Sequence, residues 1–271
     1  YRQMMQAMNQ VAASVEKSMV VITGTVQASD DGQTDSVRQS RSGVIVADNG
    51  VEFLILTGDG IFESGKEVTA AFYDGNEASA SLKQQDRNLG IAVYAVEKSG
   101  LSQNTAQQAA VAVLGNSNLV SVGDPVIAVG SPFGSEDGAG FGTISGTQSQ
   151  KYLCDGQYQM LETDLVHADG ASGVLTDLNG EIVGLIDEGT DGTSGVMKAF
   201  AISGLKEEIE MLSNGVSAAY LGISGTEVSD VIADSQDMPK GVYVSSSMPD
   251  SPAMQAGIQS GDIITEIGGT K

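Results

Sequence analysis

The chain has 271 residues, 41% of them hydrophobic, and 35 acidic side chains against 13 basic ones give a formal charge of −22. This length suffices for one large domain and part of a second, and the sequence contains no apolar run long enough to suggest a membrane span. Because the acidic excess repels phosphate backbones, we expect no nucleic-acid partner.

The first 17 residues contain neither Gly nor Pro, and their apolar side chains recur at helical spacing. We predict an N-terminal amphipathic helix, residues 1–18, whose methionine-rich face lies on the core. The residues on that face are Met4, Met5, Met8, Val11 and Val15.

From Met19 onward the pattern changes to short apolar runs bounded by Gly, Asn or Asp, which is typical of β-strands. The segment 27–41 is polar, and we predict a mobile surface loop there. Six strands at this spacing indicate one small barrel at about residues 19–98. The predicted strands are Met19–Val26, Ser42–Val46, Val51–Thr57, Glu67–Tyr73, Glu77–Lys83 and Ile91–Val96.

A second barrel is predicted at about residues 109–202. It starts near Ala109–Leu114, and it contains a strand-turn-strand around Asn179-Gly180. Ser203 is placed to cap a following helix that Asn214-Gly215 would end. The single cysteine, Cys154, lacks a disulfide partner and neighbouring metal ligands, so we expect no metal and no cofactor.

A glycine-flanked serine stands out in the second barrel, at Gly170-Ala171-Ser172-Gly173. A tight loop of this kind presents a nucleophilic hydroxyl and the amides of an oxyanion hole in serine peptidases. Taken alone, the motif is a weak signal and is more often a glycine-rich loop with an ordinary solvated serine.

Several segments together resemble the HtrA (DegP-like) family of trypsin-fold serine proteases with a C-terminal PDZ domain. The most specific is Val122–Gly134, which is similar to the family's V-G-x-x-V-x-A-I-G-x-P-F-G. Thr163-Asp164 and the serine loop fall in register with the family's serine segment, although Gly-Gly-Pro is shortened to Gly173-Val174 and Ala168-Asp169 replace Asn-Pro. The resemblance implies a mainly β protein, with a trypsin-like double β-barrel at 19–214.

The same resemblance places Ser172 at the nucleophile position and Gly170, Ala171 and Ser172 in the oxyanion-hole loop. The other two triad positions are lost, because Gly60 stands where the family has histidine and Gly90 where it has aspartate. Neither glycine can accept a proton. The chain's single histidine, His167, matches a position that lines the specificity pocket in the family, so we do not expect it to act as the base. Asp59, beside Gly60, is interpreted as an ordinary turn aspartate.

The C-terminal residues 216–271 are similar to the first part of a PDZ domain. Tyr220-Leu221-Gly222-Ile223 matches the family's carboxylate-binding loop, and Ser251–Ile264 matches its S-P-A-x-x-A-G-x-x-x-G-D-I-I segment. PDZ domains bind a peptide as an added strand, and the loop amides receive its terminal carboxylate. The domain is predicted to be truncated at Lys271.

We therefore predict a pseudoprotease, without a complete triad, that binds polypeptides or a protein partner through C-termini. Two alternatives stay open: an active endopeptidase in which a non-standard base serves Ser172, and a structural scaffold. The resemblance also implies an extracytoplasmic location with a membrane anchor in a missing N-terminal segment, and further copies of the chain as candidate partners.

Overall fold

The computed structural model describes residues 2–30, 33–58, 67–134, 138–168, 170–187, 195–249 and 251–270, with the side chains of residues 26–36 left aside. The chain forms two compact units. The first comprises Tyr1–Gln150 and Tyr158–Ala218, and the second comprises Lys151–Gln157 and Ala219–Lys271. The short segment Lys151–Gln157 thus groups with the C-terminal residues, which the sequence did not lead us to expect.

The first unit begins with helix α1 (Arg2–Glu16), which confirms the predicted helix. Met8, Ala12 and Val15 are buried, whereas Met4 is 54% exposed and lies off the core face. The buried face meets the turn at Gly180, where an added Cβ would lie 3.3 Å from Val15 Cγ2. No helix in the described ranges is long and apolar enough to cross a membrane.

A seven-stranded antiparallel sheet follows, in the order β5-β4-β1-β2-β3-β7-β6. Its inner face buries large β-branched and aromatic side chains such as Ile22, Ile45, Phe53, Ile55 and Tyr94. Burial of each such side chain contributes about 1.5–3 kcal/mol to folding. The strands are β1 (Met19–Asp30), β2 (Gln33–Asp48), β3 (Glu52–Gly58), β4 (Thr69–Phe72), β5 (Glu77–Ser79), β6 (Ser81–Asp86) and β7 (Ile91–Glu97).

The surface loop predicted at 27–41 is wrong. The described residues of this segment continue β1 and β2 as a long hairpin, paired from Gln27 with Ser36 to Asp30 with Gln33. Main-chain hydrogen bonds hold a ladder together without apolar side chains, so low hydrophobicity was the wrong criterion. The predicted strand Glu77–Lys83 is likewise two strands, because β5 pairs with β4 and β6 pairs with β7 on either side of the buried Ala80.

The chain then crosses to the second barrel through helix α2 (Gln103–Gln108), capped by the Ser102 side chain. The segment 109–114, near which the second barrel is predicted to start, carries one isolated parallel bridge, from Leu114 to Ile182. The Ala112 amide donates to Ile45 O (2.8 Å), and Ile182 N donates to Val113 O (2.8 Å). The segment thus makes hydrogen bonds to both sheets before the first strand of the second barrel begins.

The second barrel is a closed six-stranded sheet in the order β10-β13-β12-β11-β8-β9. Its core includes Val126, Ile144, Leu161, Leu175 and Met197. The strands are β8 (Pro125–Ser131), β9 (Gly138–Leu153), β10 (Gly156–Val166), β11 (Ser172–Thr176), β12 (Ile182–Asp187) and β13 (Val196–Ala201).

Helix α3 (Lys206–Ser213) closes the first unit. The prediction that Ser203 caps it is wrong, because the cap position is Leu205 and the Ser203 hydroxyl instead accepts from Ser117 N (2.9 Å). The predicted end is confirmed: Asn214 is the C-cap, and Gly215 follows at φ 72°.

The second unit contains a three-stranded sheet in the order β14-β15-β16 and two short helices. Val244 and Ala253 form the centre of its small core, both fully buried. Its elements are β14 (Ile223–Glu227), α4 (Asp230–Gln236), β15 (Val242–Ser247), α5 (Pro252–Gln255) and β16 (Ile263–Ile264).

Candidate functional site

Ser172 is the first residue of β11, paired with Ser131 of β8. Only 3% of its surface is exposed. Its hydroxyl oxygen accepts a hydrogen bond from the Ser42 main-chain amide at 3.0 Å, a contact that joins β11 to β2. The same residue of β2 is fixed on its other side, because Thr57 Oγ1 donates to Ser42 O at 3.2 Å. The hydroxyl is therefore held inside the first unit.

Two glycines allow this close approach of three strands. Gly173 has φ 132°, and a Cβ added there would overlap the Val129 carbonyl. Gly130 has φ 122°, and a Cβ there would lie 3.0 Å from both Gly173 Cα and Ser42 Oγ. Both positions combine a left-handed conformation with a lack of space, so only glycine fits. The glycines thus explain how Ser42 and Ser172 come into hydrogen-bond distance.

The loop before Ser172 uses one of its own amides internally. Ala171 N donates to Ala168 O at 3.1 Å, which closes a turn, and the Ala171 side chain is fully buried. Gly170 supplies the positive φ of that turn, 74°, with no atom within 4 Å of an added Cβ. An oxyanion hole needs amide donors that are free and converge on one point. In a trypsin-type site these donors are the amides of the nucleophile and of the residue two positions before it, here Ser172 and Gly170. The Ala171 bond therefore shapes the loop and does not occupy a donor of the hole.

His167 is half-buried, and its main-chain amide and its ring both make hydrogen bonds to main-chain carbonyls. Its amide donates to Gly195 O (2.9 Å), and its ring Nδ1 lies 3.0 Å from Ala168 O. A carbonyl oxygen can only accept, so Nδ1 carries the proton of that bond. In the part of the chain that the structure describes, Ser172 Oγ is hydrogen-bonded to a main-chain amide and not to this ring.

Gly90, which the sequence predicts to stand at the position of the triad aspartate, lies in a tight turn after β6. Gly90 has φ 75°, and its amide donates to Asp86 O at 2.9 Å. The Asp86 carboxylate is committed to the same turn, accepting from Asn88 N (2.8 Å) and Leu89 N (3.1 Å). Gly60 and Asp59 lie outside the described residues.

Asp164, in the segment before the serine loop, ties β10 to β9. Its Oδ1 accepts from Thr143 N at 2.7 Å and its Oδ2 from Thr143 Oγ1 at 3.0 Å. The main-chain donor at Thr143 lowers the pKa of Asp164 below its usual value, against a smaller opposing effect of desolvation. This carboxylate stays ionised and structural, and supports the strand that leads to His167.

A cavity of about 720 Å³ borders this region. It lies over β1, β4 and β8 and reaches Ser42, Val129 and Gly130. Among the described residues that line it, Ser172 is not included. The described wall of the cavity thus includes Ser42, the residue whose amide holds the Ser172 hydroxyl.

The predicted peptide-binding loop in the second unit differs from the serine loop, because several of its amides share one acceptor. The amides of Leu221, Gly222 and Ile223 point to one place and donate to the carboxylate of Asp155, at 2.8, 2.6 and 3.1 Å. Tyr220, the fourth predicted residue, donates its hydroxyl to Met248 Sδ at 3.1 Å. We call the three amides the carboxylate cradle.

Sequence reasoning missed two residues of these sites, Ser42 and Asp155. Ser42 stands 130 positions from Ser172, and no local pattern connects them. Asp155 lies 66 to 68 positions from the cradle, and its available signal was the Asp-Gly pair at the tip of the β9–β10 hairpin. That pair indicates a turn but not what the turn contacts.

The comparisons with known proteins agree with this architecture. The family model "Trypsin-like peptidase domain" matches residues 41–185, more than half of the chain, and "PDZ domain" matches residues 243–271. The solved "HtrA-type protease AlgW with decapeptide" superposes with a TM-score of 0.66 at 22% identity, covering 97% of this chain and 86% of that one. This supports the fold, and the expectation of a mainly β trypsin-like fold with a PDZ domain is confirmed.

Among curated relatives, "Probable periplasmic serine endoprotease DegP-like" of Halomonas elongata is 30% identical over 246 residues, 88% of this chain and 49% of the relative. "Periplasmic pH-dependent serine endoprotease DegQ" of Escherichia coli is 30% identical over 238 residues, 84% of this chain and 50% of the relative. The chain thus spans about half the length of these relatives. It belongs to the HtrA (DegP-like) family of trypsin-like serine peptidases with a PDZ domain.

Proposed function

We propose that this chain is a catalytically degenerate member of its family, a pseudoprotease that binds polypeptides through their C-termini. The observation that carries the proposal is the position of Ser172, which is buried with its hydroxyl bonded to the Ser42 amide. A nucleophilic serine needs a base within about 2.6–3.2 Å and access to the substrate carbonyl. Because Ser172 is 3% exposed, a substrate carbonyl has little access to it, and among the described residues its hydroxyl is bonded to a main-chain amide and not to a base.

The neighbouring groups support the same conclusion. The predicted aspartate position holds Gly90, whose amide is used in a turn, and the predicted histidine position holds Gly60. Removal of triad members costs about 10⁴ to 10⁶ in rate. Losses of this size reduce hydrolysis to background.

Binding is supported by the second unit. Three convergent main-chain amides form a site for an anionic carboxylate, which is the contact that a PDZ domain offers to a peptide C-terminus. The alternative of an active peptidase needs a base for Ser172, and the hydrogen bond that the Ser172 hydroxyl makes among the described residues is with the Ser42 amide and not with the His167 ring. We therefore favour binding over both alternatives.

The relatives named above are periplasmic proteins, and we extend that setting to this chain as an extracytoplasmic location. The partners that fit the cradle are polypeptides with free C-terminal carboxylates. Self-association and an upstream membrane anchor stay predictions.

The test measures hydrolysis and binding on the intact protein. We expect no cleavage of unfolded casein above background and no change in Ser172→Ala, with trypsin as the positive control. A short peptide that ends in a free valine should bind, and its C-terminal amide should bind much more weakly, because the cradle loses its anionic acceptor. Cleavage that disappears in Ser172→Ala, or equal binding of acid and amide, would contradict the proposal.

A further inference from the structure

The carboxylate cradle is already occupied by a side chain of the same unit. Asp155 Oδ2 accepts from Leu221 N and Gly222 N, and Oδ1 accepts from Ile223 N, so both oxygens are used. Charge-assisted bonds to main-chain amides are among the stronger hydrogen bonds in proteins. The distances of 2.6 to 3.1 Å place this carboxylate where an incoming anion would sit.

Asp155 also makes a main-chain contact with the strand that follows the cradle. Its amide donates to Ile223 O at 3.0 Å. Ile223 opens β14, which stands at the end of the sheet order β14-β15-β16. A peptide that adds to a sheet edge offers main-chain hydrogen bonds together with its terminal carboxylate. Asp155 supplies both kinds of contact from one residue.

The loop is braced so that its amides face the ligand. The Leu221 carbonyl accepts from Ala253 N (2.9 Å), and the Gly222 carbonyl accepts from Met248 N (2.8 Å). Gly222 has φ 83°, and a Cβ there would overlap Ser251 Cβ. Since the carbonyls are fixed on one side, the amides point to the other side as an anion-binding nest. The cradle therefore keeps its shape independently of Asp155.

Asp155 itself adopts a conformation that most side chains avoid. Its φ is 62°, and among the described non-glycine residues this sign is shared with Asp237, at φ 52°. Gly156, the next residue, completes the hairpin turn. Aspartate tolerates this region better than most residues, and glycine tolerates it without strain. Glycine at 155 would suit the turn but would remove the carboxylate.

We propose that Asp155 is an internal ligand of the carboxylate cradle, and that a peptide C-terminus binds by displacing it. This inference rests on the proposed peptide-binding function and adds its regulation. A tethered competitor acts at a high effective concentration, and apparent affinity falls with the fraction of sites that are open. The hairpin tip Lys151–Gln157 thereby lowers the apparent affinity of the cradle for a peptide C-terminus.

The experiment compares Asp155→Gly with a matched control, Asp237→Gly, in the intact protein. Both variants replace an exposed aspartate at positive φ with glycine and change the net charge equally, but Asp237 caps α4 and makes no described contact with the cradle. The first readout is hydrogen exchange at the amides of Leu221, Gly222 and Ile223 without any peptide. We expect exchange to be about tenfold faster or more in Asp155→Gly and unchanged in Asp237→Gly.

The second readout is the affinity of a fluorescein-labelled short peptide with a free C-terminal valine. We expect about tenfold tighter binding to Asp155→Gly than to the unchanged protein and to Asp237→Gly. Faster exchange without peptide binding would support the internal ligand and contradict the peptide-binding function. Unchanged exchange at the cradle, or equal peptide affinity in all three proteins, would overturn the internal ligand.

Discussion

The serine loop and the carboxylate cradle are similar in sequence, but their main-chain amides bind different kinds of acceptor. Both are short glycine-containing loops at the start of a strand, Gly170-Ala171-Ser172 before β11 and Tyr220-Leu221-Gly222 before β14. In the serine loop the Ala171 amide turns inward to Ala168 O. In the cradle three amides turn outward to one carboxylate. The motif alone does not determine the function, because the neighbours of the loop decide where its amides point.

The largest effect is expected at Gly173, which lets the serine loop approach β8. Gly173→Ala should destabilise the protein by about 3 kcal/mol, since the new Cβ meets the Val129 carbonyl and φ is 132°. Gly170→Ala is the matched control, with φ 74° and open space, and should cost about 1 kcal/mol. Urea unfolding followed by circular dichroism measures both. An equal loss of unfolding free energy in the two variants would show that the strands around Gly173 leave room for a Cβ.

The cradle has its own matched glycine pair, Gly222 and Gly257. Gly222→Ala should weaken binding of a free-acid peptide by about tenfold or more, because the Cβ would push the loop away from Ser251 and misalign its amides. Gly257→Ala has nearly the same φ, 85°, with nothing within 4 Å of its Cβ, and should leave affinity unchanged. Fluorescence polarisation gives both affinities. A similar loss in the two variants would point to general destabilisation of the unit.

The carboxylates of Asp155 and Glu208 differ in their hydrogen bonding. Asp155 accepts from three main-chain amides, whereas Glu208 has an oxygen that accepts none among the described residues. Glu208 Oε1 is buried without a hydrogen-bond partner among the described residues. Burial raises the pKa of Glu208, and the nearby charges of Asp86 and Glu207 raise it further. Because its folded pKa lies above its unfolded value, ionisation of Glu208 removes stability as the pH rises through that interval.

Glu208→Gln should therefore stabilise the protein at neutral pH, by a few tenths of a kcal/mol for this half-exposed side chain. The gain should vanish below about pH 4, where the native glutamate is protonated in both states. Thermal unfolding at several pH values measures the difference. The neighbouring Glu207→Gln is an exposed control, and an equal gain there would mean that net charge, not burial, is responsible.

The smallest effect is expected from restoring the triad. Gly60→His with Gly90→Asp should produce no casein cleavage or only a trace, because the Ser172 hydroxyl stays buried and bonded to the Ser42 amide. Gly90 also has φ 75°, which aspartate adopts with some strain. Robust cleavage by the stable double variant would show that the serine loop has kept a catalytic geometry and lacked only the base and its orienting carboxylate.

The sequence predicted most strands, because their β-branched runs and glycine boundaries are local signals. It failed at the hairpin extension around Gln27 and Ser36, where the ladder needs no apolar side chain. It failed again at Ser42 and Asp155, whose partners are 130 and about 66 positions away. Such contacts depend on the folded arrangement of strands, which a motif of four residues does not encode.

The most direct test of the proposed pseudoprotease function asks whether Ser172 becomes reactive when a peptide occupies the cradle. The intact protein and Asp155→Gly are incubated with a fluorophosphonate and saturating free-acid valine peptide, and adducts are located by mass spectrometry. We expect no adduct at Ser172 in either protein, since the hydroxyl is buried and, among the described residues, is bonded to the Ser42 amide and not to a base. A stoichiometric adduct at Ser172 that requires the peptide would contradict the pseudoprotease assignment and show an enzyme switched on by its ligand.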